Sequence, residues 1–184
     1  LIRNIKNYQH NFKDNILIAL PVRNDAQAVL RSDWKGIMPT LKTLKKNNTI
    51  KFKNIILKLH PGDPGSLSIS DYIKIKIKYG NKIRLVPSNI SSLDIIKHSK
   101  LVICANSSMI FETLALDKPI LSYSNSFFKY LPNVYKNLES INFKTKFYSK
   151  INKKIDEITS CFVSSNKNDC EKERHYLYSM IIEK

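Results

Sequence analysis

Apolar residues in this chain fall into short runs separated by polar turns. Five runs stand out: Ile16–Leu20, Asn54–Leu59 with Ile55, Ile56 and Leu57 at its centre, Lys82–Val86, Leu101–Ala105, and a run opening at Ile120–Leu121. Such runs, bounded by polar residues, predict buried parallel strands. Between them the apolar positions recur at helical spacing. Residues 36–47 carry Ile37, Leu41 and Leu44, a predicted helix with Pro39 in its first turn. Ser70–Tyr79 predicts a second helix, entered by Ser68 or Ser70 and closed by Gly80, although its alternation of Ile and Lys also fits a strand. Ser91 or Ser92 caps a third helix holding Leu93, Ile95 and Ile96, with Asp94 in its first turn. After the polar turn Asn106-Ser107-Ser108, the residues Ile110, Phe111, Leu114 and Leu116 predict a fourth, which Asp117-Lys118-Pro119 stops. Tyr123–Tyr135 predicts a loop with a short helix, Phe127 and Phe128 serving as packing. Residues 149–160 and 170–183 predict terminal helices, and the Cys170–Arg174 charge cluster a solvated helix face.

The alternation of strand and helix predicts an α/β fold, a Rossmann-like parallel sheet with helices on both faces. Residues 1–15 read as a linker or the end of a preceding domain, and 16–184 as one domain with C-terminal helices. Right-handed crossovers place four polar loops along one sheet edge: those of Asp25, His60 and Asn89, and the turn at Ser107. Ligands sit at that edge in open α/β sheets. In the turn, backbone N–H groups at a helix start and the hydroxyls of Ser107 and Ser108 offer a seat for a phosphate, though either serine also suits a plain cap. The Lys58–Pro61 segment supplies a second polar site. There His60 stands at a strand mouth beside Pro61, in a loop with two glycines and a further proline.

Composition narrows the choices. The 184 residues are 42% hydrophobic, which suits one folded domain. The chain begins at Leu1 without an initiator Met and reads as the C-terminal portion of a longer protein. Its net charge of +16 invites nucleic acid, but the lysines are scattered through every segment without a basic stripe. A basic surface equally suits anionic nucleotide sugars or the anionic inner face of a membrane. No apolar run approaches the length of a membrane span. Cys104, Cys161 and Cys170 form no paired framework or CxxC, as expected in a reducing cytosol. There is no GxGxxG, no P-loop, no hydrolase elbow and no metal-ligand spacing, so neither metal nor resident cofactor is expected.

Five segments in register carry a resemblance. They are Ile16–Gln27, Leu57–Pro61, Ile83–Ile90, Asp94–Ser108 and Glu112–Ile120. Together they resemble the bacterial capsule polysaccharide synthesis proteins, which include β-Kdo transferases, over roughly residues 16–130. The resemblance implies one half of a GT-B glycosyltransferase, the C-terminal half that holds the nucleotide sugar. It implies a CMP-activated donor such as CMP-Kdo, with UDP-sugars and CDP-glycerol as alternatives. It also implies a glycolipid or polysaccharide acceptor. The expected setting is cytoplasmic, and the basic surface suits peripheral attachment to the inner membrane face. Carried over, His60-Pro61 and Ser107-Ser108 would hold the CMP phosphate and Glu112 the ribose. Lys58 and Asn106 flank those motifs, and Asn89 and Ser91 are further candidates for the base. The first loop departs from the family: Pro21-Val22-Arg23 stands where Gln and Glu are usual, leaving Asp25 as the acidic position. The family's catalytic acidic pair followed by Gly belongs to an N-terminal domain, and no such motif occurs in this sequence.

Overall fold

The strand β1 (Asn15–Ala19) is buried at every position and forms the middle of the sheet. The structure, a computed structural model, describes residues 14–143 apart from Thr49 and Pro132. The predicted helices at 149–160 and 170–183 therefore lie outside the described residues.

After β1 the chain makes α1 (Ala26–Leu30), α2 (Ile37–Lys46), β2 (Ile55–Lys58), α3 (Ile69–Tyr79), β3 (Ile83–Val86), α4 (Ser92–Lys97), β4 (Ser99–Cys104), α5 (Met109–Ala115), β5 (Ile120–Ser122) and β6 (Val134–Tyr135). All strand pairings are parallel, in the order β3-β2-β1-β4-β5-β6. The chain winds outward from β1 to β3, returns to β4 on the other flank of β1, then winds outward again. The β1–β4 seam is thus the topological switch point, where the crossovers diverge and leave a crevice beyond the strand ends.

Side-chain alternation divides the core. Ile16 and Ile18 of β1 face one side with Leu57, Leu101 and Ile103, against Leu41 and Leu44 of α2 and Ile75 of α3. Leu17 faces the other side with Ile56 and Val102, against Ile95 and Ile96 of α4. Beside that layer, Ala19, Cys104 and Ile120 pack with Ile110 and Leu114 of α5. Burial pushes the free Cys104 thiol up to about 12, so it is an inert part of this core.

Two helix ends show the local rules at work. The Ser68 hydroxyl accepts from the Asp71 N–H at 3.1 Å and starts α3. Gly80 ends it at φ 68°, a conformation that costs a residue without Cβ little. The segment that alternates Ile and Lys is therefore helix. Two elements differ from expectation. The loop after β1 contains α1, whose Val29 and Leu30 are 66% and 80% exposed, so it has no apolar stripe to reveal it. The Tyr123–Tyr135 segment has the expected short helical turn at Phe127–Tyr130, and also adds the two-residue β6 to the sheet.

Candidate functional site

A cavity of about 360 Å³ opens at the switch point. Three strand ends build it. The segment after β1 contributes Leu20 to Val22 and Asp25, the end of β2 contributes Lys58 to Pro61, and the turn into α5 contributes Asn106 to Ser108. Glu112 closes the wall one helical turn beyond Ser108, on the same face of α5.

Lys58 owes its place to strand periodicity. It shares the pleat face of Ile56, so it points to the side of the sheet covered by α4 and α5. It is only 2% exposed, and its Nζ donates to the Ser88 carbonyl at 3.1 Å. Burial pushes the ammonium below its usual pKa, and the Glu112 carboxylate pulls it partly back. On the Glu112 side, Oε2 is buried and has no hydrogen-bond partner among the described residues. A buried carboxylate oxygen in a cavity wall without a donor is costly, and a ligand hydroxyl relieves that cost.

His60 is exposed at the mouth of the cavity. The Gly62 N–H donates to its Nδ1 at 3.0 Å, and the Asp63 N–H donates to its carbonyl at 3.1 Å. An imidazole that accepts at Nδ1 carries its proton on Nε2, so the ring keeps one outward-facing donor. The loop is tied down from the neighbouring strand. Arg23 donates to the Asp63 carboxylate from Nε at 3.0 Å and from a terminal nitrogen at 2.9 Å, and the Arg23 backbone N–H adds a third bond at 2.9 Å. The Arg23 contacts hold the Asp63 carboxyl below the usual range. Gly65 allows this approach, because a Cβ there would meet the guanidinium at 3.3 Å.

The turn before α5 differs from the expected seat of open amides. The Met109 N–H donates to the Ser107 hydroxyl at 3.3 Å, the Ile110 N–H to the Ser107 carbonyl at 3.1 Å, and the Phe111 N–H to the Ser108 carbonyl at 3.0 Å. Those donors are used inside the turn. Ser108 occupies the cap position in helical geometry without a side-chain cap bond, so its exposed hydroxyl is an outward donor of the turn, beside the Ser107 hydroxyl. Asn106 has a structural partner set: its Oδ1 accepts from the Ser124 and Ser126 hydroxyls at 3.0 and 3.3 Å. That serine cluster fixes the turn to the segment after β5.

The sequence-predicted residues Asp25, Lys58, His60, Pro61, Asn106, Ser107, Ser108 and Glu112 all line this one cavity. Asn89 and Ser91 are exposed and do not. Their loop follows β3, the edge strand two places from β1, and only Ser92 from α4 reaches the wall. Ser92 and the Arg23–Asp63 pair escaped the sequence reading. The sequence carried no local signal for the pair, because its two loops meet only once β1 and β2 lie side by side. Among the described residues no three His, Cys, Asp or Glu side chains gather as a metal site.

Comparison with known proteins adds the family. A family model described as capsule polysaccharide biosynthesis protein matches residues 2–156. No curated protein matches the chain. Among solved structures, the Thermosulfurimonas dismutans KpsC β-Kdo 2,7 transferase is 26% identical over 72% of this chain and 41% of its own, with a TM-score of 0.48. The β-Kdo 2,4 transferase of the same KpsC is 15% identical over 74% of this chain and 42% of its own, also at 0.48. The wall teichoic acid polymerase TagF is 18% identical over 73% of this chain and 36% of its own, at 0.40. The chain thus spans about two fifths of the length of these structures. With the family model matching most of its length, the chain belongs to the capsule polysaccharide biosynthesis proteins.

Proposed function

We propose that the chain is the nucleotide-sugar-binding half of a GT-B glycosyltransferase that builds a surface polysaccharide, and that its cavity takes a CMP-activated sugar such as CMP-Kdo. The observation that carries this is one cavity holding donors and an acceptor of the right kinds. The Lys58 ammonium, His60 Nε2 and the Ser108 hydroxyl are donors for a phosphate. The unpartnered Oε2 of Glu112 is an acceptor for a ribose hydroxyl. Family membership supports the polysaccharide setting. The His60-Pro61 and Ser107-Ser108 dipeptides support CMP as the nucleotide.

In such a transfer the acceptor hydroxyl attacks the anomeric carbon. The bond from that carbon to the phosphate oxygen breaks, and its electron pair leaves with CMP. Charge therefore grows on the phosphate as the bond breaks. Donors fixed around it stabilise the transition state more than the bound donor sugar. The acceptor, a glycolipid or polysaccharide, loses its proton to a carboxylate. In this proposal that carboxylate comes from a second domain, with Asp25 at the cavity as the alternative within this chain.

A thermal-shift series with CMP, UMP, CDP and UDP tests the assignment. CMP should raise Tm most, and His60→Ala should remove most of that rise. A larger shift with UDP or CDP would move the donor class to UDP-sugars or CDP-glycerol. Equal shifts with all four would contradict a nucleotide-selective site.

A further inference from the structure

The α3 helix presents two apolar faces, and only one is used by the core. Ile75 is fully buried, flanked by Tyr72 and Tyr79 against the sheet. Ile69, Ile73 and Ile77 follow one another at intervals of four along the opposite side, and are 80%, 51% and 81% exposed. Residues spaced this way form a ridge. Lysines border it. Lys74 lies on one flank, paired with Asp71 at 3.3 Å. Lys76 lies on the other, its Nζ donating to the Ile83 carbonyl at 3.1 Å.

Around the C-terminal end of α3 the charge is concentrated. Lys45 of α2, Lys78 and Lys82 line one cavity of about 350 Å³, and among the described residues no Asp or Glu lines it. The Lys45 and Lys78 ammonium groups each stand 6.0 Å from the centre of the Tyr79 ring. At the cavity rim the Asn47 side-chain amide donates to the Glu139 carboxylate at 3.5 Å.

We propose that this outer face of α3 seats on an anionic lipid surface, with Ile69, Ile73 and Ile77 entering the acyl boundary and Lys45, Lys78 and Lys82 meeting lipid phosphates. An isoleucine ridge edged by lysines is the pattern of a helix lying in a membrane interface, where the lysine stems lie along apolar surface and the ammonium groups reach the headgroups. A protein partner fits less well, because lysine is depleted in protein interfaces and the ridge carries no Trp, Tyr or Arg anchor. The net charge of +16 adds attraction to an anionic leaflet. The ridge lies on the side of the sheet opposite α4 and α5, so Glu112 and its cavity wall stay uncovered.

Co-sedimentation of the full chain with phosphatidylcholine vesicles, with and without phosphatidylglycerol, tests this. The chain should bind the anionic vesicles. Ile69→Ser with Ile77→Ser leaves the charge unchanged and should lower the partition coefficient about ten-fold or more. Circular dichroism of that variant should match wild type, since both positions are exposed. Lys45→Gln, Lys78→Gln and Lys82→Gln together should flatten the salt dependence. Undiminished binding by the isoleucine variant would reduce the effect to bulk charge and overturn the proposal. So would failure to bind anionic vesicles at low salt, or a dimer in ultracentrifugation that the isoleucine variant disperses without loss of vesicle binding.

Discussion

Arg23 and Asp63 lie 40 positions apart and join the loops that follow two adjacent strands through a two-pronged ion pair, at 2.9 and 3.0 Å. Asp63 also donates its N–H to the His60 carbonyl, so the pair fixes the frame in which the imidazole sits. Arg23→Gln should therefore weaken CMP binding without unfolding the chain. The loss should be smaller than that of His60→Ala, because His60 remains but is less well held. Calorimetry on Arg23→Gln, His60→Ala and the double variant checks this, the double losing less than the sum. Additive losses would mean that the ion pair does not act through His60.

The same pair sets a pH dependence. Its contacts lower the Asp63 pKa in the folded state, so they stabilise the fold fully above the ordinary carboxylate value near 3.9. That contribution disappears as pH falls through the folded-state value. The Tm difference between wild type and Arg23→Gln should be constant near neutrality and shrink as pH falls below the ordinary carboxylate value. Thermal melts across that range provide the measurement.

Lys58 should show a conflict between stability and binding. Burial disfavours its charged form, so the folded chain bears a penalty that eases as pH rises toward the lysine range. Lys58→Met keeps the stem, removes the charge, and should hold or raise Tm. It should also weaken CMP binding by about 1.5–3 kcal/mol through loss of a charged donor. A variant that binds CMP normally would remove Lys58 from the phosphate site.

Glu112 should read the sugar of the nucleotide. Wild type should bind CMP more tightly than its 2′,3′-dideoxy analogue, by about ten-fold or more for hydroxyl bonds to a carboxylate. Glu112→Ala should bind both alike. Competition titrations with the two nucleotides decide the matter.

Legibility in the sequence followed the physics of each element. The runs at Ile16–Leu20 and Leu101–Ala105 were visible because strands buried on both faces need unbroken apolar residues. The start and end of α3 were visible because Ser68 and Gly80 act locally. By contrast, α1 has no buried stripe and β6 is only two residues long, so neither produces a periodic signal. His60 and Ser108 could be brought together on paper because parallel topology sends alternate loops to one edge, while Glu112 entered only through the family resemblance. How far along that edge each loop lies depends on strand order. Asn89 follows the edge strand β3, and the sequence does not print that order. The closed amides of the Ser107 turn were illegible for another reason, since whether a turn folds its N–H groups inward is a matter of backbone angles. The Arg23–Asp63 pair depends on two loops meeting, which only the assembled sheet decides.

The central claim is that His60 and Ser108 hold one phosphate between them. Calorimetric titration of CMP and of cytidine into wild type, His60→Ala, Ser108→Ala and the double variant tests it most directly. Each single change should weaken CMP by about 1–3 kcal/mol and leave cytidine unchanged, with the two losses coupled. Equal affinity of wild type for CMP and cytidine, or losses that fall alike on both ligands, would contradict a shared phosphate site.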